Sequence, residues 1–92
     1  MATVVHNPDL LRYEIHVDGK VAGFTQYRDT PEAVDFVHTE VDDEYEGHGL
    51  GGQLARGALD QVRADGRKVI ATCPFIKAWI AEHDDYQDLL AA

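Results

Sequence analysis

Ninety-two residues provide for one hydrophobic core and leave no room for a second domain, so the chain reads as a single unit spanning 1–92. Its formal charge of -9, from 17 acidic against 8 basic residues, creates a field that repels nucleic-acid phosphates and anionic lipid headgroups and attracts cationic amines. Nucleic acid and membrane are therefore not expected as partners. A single cysteine, Cys73, excludes an intrachain disulfide and a cysteine-built zinc cluster. With no basic segment leading into an apolar run and no stretch near 18 apolar residues, the expected location is cytoplasmic.

Residues 1–10 read as a loose N-terminal segment. From Leu11 to Val17 apolar and polar residues alternate, the period of a half-buried strand, and Asp18-Gly19 supplies a two-residue primed turn into a second strand from Lys20 to Tyr27. After the Asp29-Thr30-Pro31-Glu32 turn, the β-branched and aromatic run Val34 to Val41 is expected to return as a third antiparallel strand. Its alternation would place His38 and Glu40 on the same face as Val34 and Phe36.

An acidic loop, Asp42 to Glu46, precedes Gly47-His48-Gly49-Leu50-Gly51-Gly52. Leu50, Leu54, Ala58, Leu59 and Val62 then recur at helical spacing up to a stop at Gly66. Val69 to Thr72 fits a short buried strand, parallel to the one before the helix. Pro74 favours a first helical position, which makes Cys73 the N-cap of a second helix reaching about His83. The expected fold class is mixed α/β (α+β): a four-stranded, mainly antiparallel sheet made of a three-strand meander plus one β-α-β unit, with a C-terminal helix.

Four glycines at a strand-to-helix junction each cost up to about 1 kcal/mol against alanine in a helix. They point to a backbone reason: positive φ, and close approach of a ligand to the first, unpartnered N–H groups of the helix. A pyrophosphate suits that positive dipole end; a flexible turn with close helix-to-sheet packing is the competing explanation. Gly47, Gly49 and Gly52 match the spacing of a dinucleotide fingerprint, but an antiparallel strand precedes them and no carboxylate ends the next strand. Gln53-Leu54 in place of Lys-Ser or Lys-Thr rules out a Walker-type loop.

His38-Thr39-Glu40-Val41, the Glu46 to Gly51 run, and Thr72-Cys73-Pro74-Phe75 through Trp79 to His83 and Tyr86 together resemble the GNAT superfamily of N-acetyltransferases. The likeness is strongest to the short branch that keeps only the acetyl-coenzyme-A-binding centre. It implies that Val41 pairs with the pantetheine arm and that Gly47, His48, Gly49, Leu50, Gly51 and Gly52 hold the pyrophosphate. Glu46 stands where larger members carry Arg or Gln. Ile80 stands where they place the tyrosine that protonates the departing thiolate.

The implied activity is acetyl-CoA-dependent N-acetyl transfer to an amine, on a small molecule or a protein, with acetyl-CoA or coenzyme A as the bound cofactor. The alternative is a non-catalytic acyl-CoA sensor or adaptor. Cys73, at a helix N-cap where the dipole favours a thiolate, is the candidate nucleophile; a small buried hydrophobe ending a strand is the other reading. His38 and Glu40 are the candidate bases, or equally a satisfied pair at a strand end. His38-x-Glu40 lacks the later cysteine pair of zinc deaminases, so no metal is expected. Phe75 and Trp79 read as core. Exposed sheet edges allow a monomer or a weak homodimer.

Overall fold

The hairpin expected at Asp18-Gly19 forms, with φ of 50° and 80° at its two turn residues, as a primed turn requires. In the computed structural model, which describes residues 2–45, 47 and 49–91, it joins β2 (Arg12–Val17) to β3 (Lys20–Asp29). β4 (Ala33–Val41) pairs antiparallel with β3, and β5 (Lys68–Ala71) pairs parallel with β4. The crossover between β4 and β5 is α1 (Leu50–Ala64), and α2 (Pro74–Ala81) follows β5. This is the mixed α/β arrangement expected, with one strand more.

The additional strand is β1 (Ala2–Asn7), antiparallel to β2 in register from Ala2 opposite Val17 to Asn7 opposite Arg12. The first residues are thus not loose. Their order comes from two partners distant in sequence: the β2 backbone and α1, which lies so close that a methyl built on Gly57 would stand 2.5 Å from Val4 Cγ2. The sheet order is β1-β2-β3-β4-β5.

α1 buries the stripe Leu50, Leu54, Ala55, Ala58, Leu59 and Val62 against the sheet. Leu54 and Leu59 are wholly inaccessible, each contributing about 1.5–3 kcal/mol by leaving water. Gly66, with φ 72°, ends the helix in a Schellman turn: its N–H donates to Arg63 O, and that of Arg67 to Val62 O, at 3.0 and 3.1 Å. The face of the sheet under α1 and α2 carries Tyr13, Ile15, Thr25, Tyr27 and Phe36. No helix among the described residues is long and apolar enough to cross a membrane.

Candidate functional site

β4 and β5 pair only from Ala33–Lys68 to Phe36–Ala71, and the last link across the seam is Cys73 N–H to Phe36 O at 2.8 Å. Beyond it, residues 38–41 stay paired with β3 but have no strand partner on the β5 side among the described residues. Two local features open this seam. Pro74, which has no N–H, turns the chain from β5 into α2. In β4, Val37 is an extra residue, a bulge between the pairs Tyr27–Phe36 and Gln26–His38, and a bulge bends its strand.

The open seam leads to the start of α1. Gly47 and Gly49 have φ of 86° and 71°, and a Cβ on either would meet nothing within 4 Å. Backbone conformation, not packing, therefore demands glycine at both. Gly49 is the N-cap and, among the described residues, no side chain caps the helix; the first intrahelical bond seen is Gln53 N–H to Gly49 O, so the N–H groups of Leu50, Gly51 and Gly52 have no helical acceptor. A Cβ at Gly51 would crowd the Phe75 ring at 3.0 Å, whereas one at Gly52 would make ordinary contact, 3.6 Å from Trp79 Nε1. Phe75, expected in the core, is an exposed ring of α2 beside this mouth, and Trp79 is half-buried.

Cys73 is the N-cap of α2 as expected, with extended backbone and no side-chain capping bond. Its thiol is buried, 3.4 Å from Thr39 Oγ1, and that hydroxyl lies 2.9 Å from Thr25 Oγ1. His38 and Glu40 are not on the face of Val34 and Phe36. The Val37 bulge inverts the alternation, so Thr39 turns toward Cys73 and the helices, while His38 and Glu40 project from the opposite face of the sheet. There they form an exposed pair, His38 Nε2 to Glu40 Oε2 at 3.2 Å, with side chains 56% and 61% accessible. Thr39 and Thr25 escaped sequence reasoning because nothing local marks Val37 as a bulge.

The open face continues with the Phe24 ring, 6.2 Å from the His38 ring, and with the Arg12 guanidinium 4.6 Å above Phe24. Arg12 Nε donates to Glu14 Oε2 at 2.7 Å. Asn7 donates to the same oxygen at 3.0 Å, and His16 Nε2 lies 2.9 Å from Oε1. The bond from His16, followed by those from Arg12 and Asn7, outweighs burial and holds the Glu14 carboxyl down at about 2.

Val41 is half-buried at the end of the unpaired edge. Ile80 is buried in the core and offers no proton. His48 and Glu46 lie outside the described residues. Among the described residues no group of three His, Cys, Asp or Glu side chains is placed to hold a metal ion.

Residues 12–89 match the family model described as GCN5-related N-acetyl-transferase. Over 50 residues the chain is 42% identical to Protein NATD1 of Gallus gallus and of Mus musculus, covering 54% of this chain and 46% of each relative. It is equally identical to the protein of that name from Homo sapiens, over 44% of its length. The chain thus spans about half the length of the curated relatives it matches. The solution structure of a GCN5-like protein from Staphylococcus aureus superimposes with a TM-score of 0.73 at 25% identity, over 98% of this chain and 88% of that one. A ribosomal-protein-alanine N-acetyltransferase from Brucella melitensis biovar Abortus shares the fold, with a TM-score of 0.62 at 23% identity over 88% and 61%.

Proposed function

Because the chain belongs to the GCN5-related N-acetyl-transferase family, we propose that it transfers an acetyl group from acetyl-coenzyme A to an amine, on a small molecule or a protein. The observation that carries this reading is the glycine-opened start of α1, which no side chain among the described residues caps, at the mouth of the seam between β4 and β5. Backbone N–H groups from Gly47 through His48 and Gly49 to Leu50, Gly51 and Gly52 would hold the pyrophosphate, where unpartnered amides and the helix dipole offset the protein's net negative charge. The free edge of β4 up to Val41 would bond the pantetheine arm. The bound thioester supplies an acyl carbon already activated for transfer.

The chain's own part is to bring an amine to that carbon and take its proton. His38, held by Glu40, is the base in this reading, since its imidazole stands exposed one residue beyond the bulge where the seam opens. Cys73, on the other face and tethered by Thr39, is the candidate for a covalent route in which its sulfur accepts the acetyl group before the amine does. The lone thiol, with no apolar helix of spanning length among the described residues, supports a cytoplasmic setting, and the protein is proposed to act as a monomer or weak homodimer.

Calorimetric titration with acetyl-coenzyme A and coenzyme A tests the cofactor. Micromolar binding is expected, weakened at least tenfold in Gly49→Val, whose side chain cannot take φ 71° without strain. Binding no tighter than millimolar would remove the proposal. Intact-mass measurement after incubation with acetyl-coenzyme A, compared with Cys73→Ala, separates covalent from direct transfer. A non-catalytic acyl-CoA sensor is the second reading, favoured by the apolar, buried Ile80 where a proton donor would be needed. Turnover on any amine would discard it.

A further inference from the structure

The open face of the sheet carries a pocket of about 270 Å³, lined by Arg12, Val21, Phe24, Glu40, Val41 and Asp42 with the Ala22-Gly23 backbone. Its charges are segregated. On the β2 wall stands Arg12, whose Nε is spent on Glu14; among the described residues its two terminal nitrogens have no hydrogen-bond partner. On the β4 wall stand Glu40, which gives one oxygen to His38, and Asp42, which gives Oδ1 to the Glu44 N–H at 3.1 Å. Among the described residues each of these carboxylates has no partner for its second oxygen. Between the walls lies Phe24, opposite Glu40 on one side and Glu14 on the other, with Val21 extending the apolar floor.

We propose that this pocket binds a free α-amino acid, with its ammonium on Glu40 and Asp42, its carboxylate on Arg12, and an apolar side chain beside Phe24 and Val21. The charge arrangement selects against simpler ligands: a plain amine would bring a cation to Arg12, and a plain carboxylate would face two like charges. The spacing fits. β2 and β4 flank the pocket two strand spacings apart, about 10 Å, and Arg12 leans inward over Phe24 from the β2 side, so the ammonium and carboxylate of an α-amino acid, roughly 3 Å apart, would fall between the β4 carboxylates and the guanidinium. The volume admits a side chain such as leucine's.

Glu40 joins this pocket to His38, so a bound ammonium would stand beside the candidate base. In that respect the inference names the acceptor class for the proposed transfer and rests on that reading; the binding itself does not.

The test is an amide-detected NMR titration of the full chain with three probes: L-leucine, L-leucinamide, which lacks the carboxylate charge, and 4-methylpentanoate, which lacks the ammonium. Leucine is expected to shift the amides around residues 12, 24, 40 and 42, and each deletion analogue to bind at least about tenfold more weakly. In Arg12→Gln the preference for leucine over leucinamide should vanish. In Glu40→Gln the preference over 4-methylpentanoate should shrink. Leucinamide binding as tightly as leucine would overturn the proposal in favour of a peptide or alkyl amine, and no shift with any probe would remove the site. The three-probe comparison needs no variant, so a misfolded mutant does not blunt it. Coenzyme A is titrated in parallel: coenzyme binding without leucine binding sinks this inference alone, and leucine binding without coenzyme binding sinks the transfer reaction alone.

Discussion

The Thr39 hydroxyl stands 3.4 Å from the Cys73 sulfur, and it is the bulge at Val37 that puts it there. Thr39 also bonds Thr25, which has no solvent access at all, so one hydroxyl serves two buried polar groups from neighbouring elements. Thr39→Val should leave the Thr25 hydroxyl without its partner and cost about 1–3 kcal/mol. Thr25→Val combined with Thr39→Val should cost less than the sum, because no orphan remains. Urea denaturation of the four proteins in the cycle measures the coupling; strictly additive losses would mean the hydroxyl pair contributes nothing.

Gly57 is the point at which α1 meets β1. A methyl there would lie 2.5 Å from Val4 Cγ2 and 2.6 Å from Val4 Cβ, and the second of these atoms is fixed to the backbone and cannot swing away. Gly57→Ala should therefore lose about 1–3 kcal/mol through overpacking, despite alanine's better helix propensity. Val4→Ala added to it should recover part of the loss. A stabilised Gly57→Ala would show that β1 yields freely to the helix.

The hairpin, α1 and the Cys73-Pro74 helix start were legible in the sequence because each is specified by residues adjacent to it: a primed turn at Asp18-Gly19, an apolar stripe, a proline at the first helical position. β1 was not, since Ala2 to Asn7 ends at Asn7-Pro8 with no turn signal of a tight hairpin, and its order depends on Gly57 far along the chain. The same holds for the site. The glycine-opened mouth of α1 could be read directly, but period-two counting from Val34 and Phe36 assigned His38 and Glu40 to the wrong face. An inserted residue inverts every side chain beyond it, and Val37 differs in no local property from the strand residues around it.

Glu14 links acid stability to the open face of the sheet. Its carboxyl is held at about 2, below its ordinary 4.5, first by His16 and then by Arg12 and Asn7. A folded-state value below the unfolded one means stability that is present above about pH 4.5 and is lost as pH falls toward 2. Glu14→Gln should be less stable than the parent at pH 7, by on the order of 2 kcal/mol, with the difference closing across that window. Denaturation curves at pH 7, 5, 4 and 3 check this, and a gap that stays constant with pH would show that the carboxylate charge is not what stabilises the cluster.

Tyr13 sets the opposite limit. It is almost wholly buried and stacks on the His6 ring at 4.3 Å and 13°. Burial first, and then the neighbouring Tyr27, pushes its phenol up to about 12 from an ordinary 10.0. The neutral phenol is the form that the fold accommodates, so its contribution is intact below about pH 10 and is lost as pH rises toward 12. Tyr27 and Tyr86 are raised by burial too, so the protein should unfold steeply in alkali through several phenols together. Tyr13→Phe removes one of them. It should cost about 1 kcal/mol or less at pH 7 while flattening the fall between pH 10 and 12 by about 2 kcal/mol. Tyrosinate absorbance recorded alongside denaturation separates titration from unfolding, and parallel alkaline slopes for parent and variant would show that Tyr13 ionises without opposing the fold.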